Sequence, residues 1–311
     1  MKQAALLLTA LFALPVARAG NSPDNDAFWK TWGDGKAEVA GYDLVFPRYG
    51  HPRRGVAVAV FVTEPFSESL QVKADPGRHP ASDEFQVMKL NLMRDFSTGL
   101  YDYNLMTSAF VGLAPAGGRP AGAPAKIAFS AQEWCGQVFH QLNFRDGFVD
   151  ESWRSYFDGE GDGEHRHQIP PGGLSEDVLP LWARGLAAPF LQPGERKTLP
   201  VLRSLATARL FHKPVEWGAG TLARGSAPRH VTVPAGTFTV DVLTADLPEG
   251  RKWTFCVEST GARRLVQWTV SDGEKGELRG ADRLAYWQMN GPGLEAQLKK
   301  IGLTPRPRRT P

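Results

Sequence analysis

Residues 85–93 read Phe-Gln-Val-Met-Lys-Leu-Asn-Leu-Met, and within them Met88, Leu90 and Leu92 alternate with Lys89 and Asn91. Successive side chains of a strand point to opposite faces, so a period of two marks a half-buried β-strand. The same pattern, rich in Val, Phe, Trp and Thr, recurs over 38–46, 56–63, 106–111, 126–129, 138–144, 152–157, 237–244, 252–257 and 264–270. Asp146-Gly147, Asp158-Gly159, Glu249-Gly250 and Asp272-Gly273 fall between such segments and supply the positive φ that tight hairpins need. The prediction is a mainly β protein: an antiparallel sheet curved into a half-barrel or open barrel, with one or two short helices against it.

Helical signals are few. Ser175 before Glu176 and Asp177 reads as an N-cap with an acidic first turn, cut short by Pro180. Leu294, Leu298 and Ile301, with Gly302 after them, predict a C-terminal helix over 291–303 that packs on the sheet. The Gly-, Ala- and Pro-rich stretch 112–125 predicts a surface loop within a single β-rich domain spanning 20–290, or the boundary of two lobes. Residues 304–311 alternate Pro and Arg and predict a disordered basic tail.

The first residues carry Lys2, an apolar run over 4–14 and Ala17-Arg18-Ala19. That is the layout of a signal peptide over 1–19, cleaved before Gly20, and it predicts a periplasmic or secreted protein. The apolar run is too short to cross a bilayer core of about 30 Å, and no other segment has eighteen consecutive apolar residues, so no transmembrane span is expected. The balance of 42% hydrophobic and 22% charged residues is that of an ordinary globular chain. A formal charge of +3 becomes +1 without Lys2 and Arg18, and about −2 without Arg306, Arg308 and Arg309. Such a body has no basic field to attract nucleic acid.

Chemistry-bearing residues cluster in two places. Between Asp146 and Glu164 seven acids, among them Glu151, face one base, Arg154. Asp158, Glu160 and Asp162 alternate before Gly163, a spacing an oxygen-liganded cation such as calcium can use, although Ile169 stands where an EF-hand requires its bidentate acid. His165 and His167 would share one face of a strand, where a zinc ion could be held with Glu160 or Asp162. A solvated acidic hairpin explains the same residues without metal, and no cofactor is the leading expectation.

The second cluster holds Glu133, Cys135 and His140, a base, a thiol and an imidazole. On one continuous strand Cys135 and His140 fall on opposite faces, so a Cys-His pair would require a bulge at Gly136. A buried thiol with a structural histidine is the plainer reading. After export Cys135 and Cys256 could form one disulfide, but each also lies in an aromatic strand pattern that suits a buried thiol. Tyr101, Asp102, Tyr103, Trp134, Gln141 and Trp153 are candidate ligand-binding residues, and Trp29, Trp32, Trp253, Trp268 and Trp287 either extend a groove or fill the core. The chain has no Gly-x-Ser-x-Gly elbow, no His-Glu-x-x-His, no Cys-x-x-Cys and no phosphate-binding loop. Residues 218–223 fit a dinucleotide fingerprint loosely but lack the surrounding βαβ unit.

In Phe28-Trp29, the stretches 33–38, 72–77 and 130–136, and 155–159, the chain resembles a group of uncharacterised exported bacterial proteins often labelled "septum formation inhibitor Maf". The group brings no activity with it. Maf proteins proper are cytoplasmic α/β nucleotide pyrophosphatases, which matches neither the export signal nor the β pattern. Residues 233–238, Val-Pro-Ala-Gly-Thr-Phe, resemble the turn-and-strand signature of periplasmic β half-barrel families of unknown function, which implies fold rather than activity. Three functions are consistent with these residues. The leading one is non-enzymatic binding of an envelope component (lipid, glycan or protein) on a concave β face. The others are a metal- or Cys/His-dependent hydrolase and a structural envelope protein.

Overall fold

The computed structural model describes residues 25–305; the signal segment and most of the basic tail lie outside the described residues. Helix α1 (Asp26–Trp32) precedes β1 (Ala37–Arg48), β2 (His51–Ser67), β3 (Val72–Lys73), β4 (Glu84–Ser97), β5 (Asp102–Gly112) and β6 (Pro124–Glu133). Then come β7 (Gly136–Phe144), β8 (Phe148–Ser155), β9 (Asp162–Gln168) and β10 (Leu174–Ser175). A 3-10 turn (Glu176–Val178) leads into α2 (Leu179–Ala183), followed by β11 (Arg196–Leu202) and α3 (Leu205–Phe211). The rest is β12 (Trp217–Arg224), β13 (Arg229–Val233), β14 (Gly236–Asp246), β15 (Lys252–Glu258), β16 (Leu265–Val270), β17 (Lys275–Leu284) and a 3-10 helix, Leu294–Ile301.

Among the described residues all strands belong to one sheet. Its ladder runs β9-β8-β7-β6-β5-β4-β2-β1-β17-β16-β15-β14-β12-β11-β10, antiparallel except for the β10–β11 pair. Most chain neighbours are sheet neighbours; β3 and β13 pair only with β2 and β14, so β2 also pairs with β4 and β12 with β14, and the β1–β17 pairing joins the two halves. The ends β9 and β10 do not pair, so the sheet is open. The ten predicted segments all fall on strands, although Tyr156 and Phe157 lie beyond the end of β8 and Arg264 just before β16. Of the stretch 112–125, residues 113–123 form a loop between β5 and β6, which pair with each other, so the sheet runs on without a break. Arg119 ties the loop down through a buried guanidinium that pairs with Glu68 and donates to the Phe144 carbonyl at 2.9 Å.

The concave side is not an empty groove. Every residue from Leu174 to Arg184 is buried, and this plug touches both halves of the sheet. Glu176 accepts from Arg251 at 2.7 Å and Trp253 at 2.8 Å, Arg184 meets Glu38 of β1 at 2.7 and 2.9 Å, and the 3-10 turn packs on β5. A segment that reaches β1, β5 and β15 together lies inside the curl of the sheet. Polar groups buried there require partners, and these acids have them: Glu176 and Asp177 also accept from the amides of Ser204 and Leu205, which open α3. The expectation that a broad concave face is free to bind a ligand is therefore corrected: its own chain fills most of it.

Ser175 caps the plug's first turn by accepting from the Asp177 amide at 3.2 Å. The predicted C-terminal helix is a 3-10 helix, with Ile301 buried and Leu298 and Leu303 half-buried against Val39, Val60 and Leu284 on the convex face. Gly41 sits beneath it because a Cβ there would stand 2.4 Å from the Ile301 carbonyl oxygen. Among the described residues no helix is long and apolar enough to cross a membrane. Cys135 is exposed and Cys256 buried, and they form no disulfide.

Candidate functional site: a histidine-lined cleft at the open seam

The unpaired ends of the sheet leave a cleft of about 1050 Å3 between the inner faces of β7, β8 and β9 on one side and α3 with residues 212–217 on the other. Register decides which side chains reach it. His140 lies opposite Trp153, Glu151 opposite His165, and Val149 opposite His167, and residues directly across a ladder share a face. His140, Glu151, Trp153, His165 and His167 therefore all point into the curl. With His212 they bring four of the chain's seven histidines to one place.

At the floor Glu151 bridges two imidazoles: His140 Nε2 is 2.7 Å from Oε1 and His167 Nε2 2.6 Å from Oε2. Burial alone would raise the Glu151 carboxyl, but the hydrogen bonds to His140 and His167 outweigh it and hold the group below its ordinary range. An ionised carboxylate only accepts, so both Nε2 atoms donate, which fixes both rings and leaves each Nδ1 outside the pairing. The His165 ring stands 4.4 Å from His167, nearly perpendicular to it. Trp153 crosses β9 because residue 163 is glycine: a Cβ there would fall 2.2 Å from the indole Cζ2.

The opposite wall is cationic. Arg209, buried on α3, pairs with Glu133 at 3.0 Å, lies 3.8 Å from Glu160 and covers the Phe157 ring at 3.7 Å. Glu160 accepts from Ser155 at 2.5 Å and from His212 at 2.8 Å. Arg209 Nε and Nη1 and the Trp217 Nε1 are buried donors with no hydrogen-bond partner, and both side chains line the cleft.

The structure sorts the predicted residues. His140, Trp153, Asp158, Glu160, His165 and His167 come together at the cleft. Asp162 has the opposite strand parity, is exposed on the outer face and pairs with Arg154, so the alternating acids do not form one ligand set. Among the described residues no group of three or more His, Cys, Asp or Glu is arranged to hold a metal ion. Glu133 is consumed by its ion pair with Arg209. Cys135 sits in the two-residue turn between β6 and β7, exposed, whereas His140 is buried about 13 Å along the strand from Gly136; no Cys-His pair forms. Tyr103 is buried in a stack with Phe96, Gln141 faces outward opposite Ser152, and Asp102 starts β5 away from the cleft. Tyr101 and Trp134 stand at the sheet's rim, rings 6.3 Å apart. Trp32, Trp253 and Trp268 are core, Trp29 packs on it, and Trp287 is exposed. Arg209, His212 and Trp217 were not anticipated, since their part depends on a chain segment some fifty residues from β9 folding back over it.

No family model matches the chain, and no curated protein does. Among solved structures, the β-barrel-like protein of domain of unknown function DUF1849 from Brucella abortus is similar at a TM-score of 0.45, with 12% identity over 80% of this chain and 98% of that one. Nothing in these comparisons supports the Maf label, and the single open antiparallel sheet is not an α/β nucleotide-pyrophosphatase architecture.

Proposed function

We propose that the protein is an exported binding protein of the cell envelope and that the seam cleft is its site, taking an oxygen-rich glycan. One observation carries this reading: the cleft is walled by imidazoles, carboxylates and a guanidinium beside the Trp153 and Trp217 rings. Sugar hydroxyls both donate and accept, so they can bond the imidazoles and carboxylates of such a lining, while indole rings offer flat apolar platforms. A lipid tail would need apolar walls, and a protein partner a broader, flatter surface. Hydrolysis has less support, because the Ser155 hydroxyl donates to Glu160, a carboxylate that also accepts from His212, and not to a histidine.

The test is a tryptophan-fluorescence titration of the chain from Gly20 with soluble fragments of bacterial cell-wall glycan. Saturable quenching is expected, with Trp217→Ala weakening affinity about tenfold, the loss of roughly 1.4 kcal/mol typical of one anchoring aromatic. Absence of quenching by every fragment, or undiminished affinity in a folded Trp217→Ala, would remove the cleft as a glycan site.

A further inference from the structure

We infer that the rim of hairpin turns beside the cleft docks the protein on an anionic lipid bilayer. Because each strand runs against the next, the turns joining β1 to β2, β4 to β5, β6 to β7 and β8 to β9 lie at one end of the sheet. Their tips carry Tyr49, Leu100, Trp134 and Tyr156, exposed by 53, 83, 63 and 73%. Phe211, half-exposed at the end of α3, joins them, since Arg48 at the end of β1 donates to the Leu210 carbonyl at 3.1 Å.

The row is continuous. The Tyr49 and Tyr101 hydroxyls are 3.4 Å apart, Tyr101 neighbours Trp134, and the Tyr156 ring lies against Gly136, just after the Trp134 turn. Isolated large hydrophobics are ordinary on a surface, but five aligned along one rim are not. Four project singly from turns and Phe211 from the end of α3, instead of packing into a flat face. That shape suits insertion among fluid headgroups, where Trp and Tyr settle with ring buried and polar atom wet.

Charge selects the lipid. The β1–β2 hairpin places His51 and Arg54 exposed and Arg53 half-buried beside Tyr49 and Leu100. The rim's acids are Asp102, next to Tyr101, Asp158 and Glu160 at the cleft side, and Asp162 at the start of β9; Glu160 is held by His212 and Ser155, and Asp162 lies 3.7 Å from Arg154. Apolar tips flanked by guanidinium groups bind a bilayer by two additive effects, insertion and attraction to anionic headgroups.

Co-sedimentation of the chain from Gly20 with vesicles tests this, using phosphatidylcholine alone and phosphatidylcholine with phosphatidylglycerol. Binding is expected to the anionic vesicles and to fall severalfold as salt rises. Leu100→Ser with Trp134→Ser should weaken it about tenfold or more, and Arg53→Gln with Arg54→Gln should remove the preference for anionic lipid. These side chains are largely outside the core, and an unchanged urea midpoint confirms that the variants fold. Failure to sediment with either vesicle, equal binding to neutral lipid, or full binding by the Leu100 and Trp134 variant overturns the inference. So does lipid-independent self-association that the same substitutions abolish, which would assign the rim to a second copy. No glycan enters the assay, so its outcome is separate from the test of the cleft.

Discussion

Asp177→Asn probes the plug. Loss of water on burial pushes the Asp177 carboxyl up to about 7; the Leu205 amide pulls it down and the nearby Glu176 charge raises it again. An unfolded chain would titrate near the ordinary value of 3.8, so folding shifts the group by about three pH units, or roughly 4 kcal/mol at 1.36 kcal/mol per unit, an upper bound. The folded state holds the proton more tightly than the unfolded one. Its contribution is therefore complete below about pH 4 and disappears as pH rises through about 7. Asparagine keeps an acceptor for the Leu205 amide and never ionises, so the variant lacks this slope. Urea unfolding followed by tryptophan fluorescence between pH 4 and 8 should show similar stability at the acid end and a widening advantage for Asp177→Asn, up to about 4 kcal/mol near pH 8. Midpoints that move in parallel across the range would refute the reasoning.

Glu151→Gln should lose about 1.5–3 kcal/mol at pH 7, because a neutral amide oxygen replaces a carboxylate that accepts from two imidazoles. The wild-type carboxyl is held low, so its advantage is full above the ordinary value of 4.5 and is lost as pH falls below it through the lowered value; the gap between the two urea midpoints should be widest at pH 7 and narrow only below pH 4.5, and equal stability at pH 7 would contradict the bridge. Arg184→Met should cost about 3–5 kcal/mol by leaving Glu38 buried without its partner, and adding Glu38→Gln should recover much of that; a single variant as stable as wild type would refute it.

Period-two alternation reports the pleat directly, which is why strands such as β4 and β7 could be read from side-chain identity. β12 could not: Trp217-Gly-Ala-Gly-Thr-Leu-Ala-Arg has two glycines and little β-branched character. β11 begins Arg-Lys-Thr, three exposed residues that read as loop, and α1 and α3 are too short at seven residues for a helical period to emerge, although Asn25 and Ser204 cap them. The site was legible only in fragments. His140 stood out in one cluster and His165 with His167 in another, while Glu151 counted as one of seven acids in a loop. Their meeting depends on the β7–β8–β9 register, and Arg209 reaches them through a helix that the plug positions.

The polar seam has a second explanation that must be weighed against a binding site. Two unpaired edges invite pairing with other chains, and a charged edge strand prevents it. β9 does this with its outward residues: Arg166 pairs with Asp150 at 2.7 Å, Asp162 and Glu164 lie near Arg154, and all but Asp150 are exposed. That outer row is sufficient for edge protection. Residues on the inner face cannot help, because no incoming strand meets them. Yet here Glu151 is buried with two imidazoles and Arg209 is buried with donors unpaired, an arrangement that costs desolvation and adds nothing at the edge. An apolar inner face would have closed the seam at lower cost. The inward polar set therefore calls for another cause, and recognition of a polar ligand in the cleft supplies one.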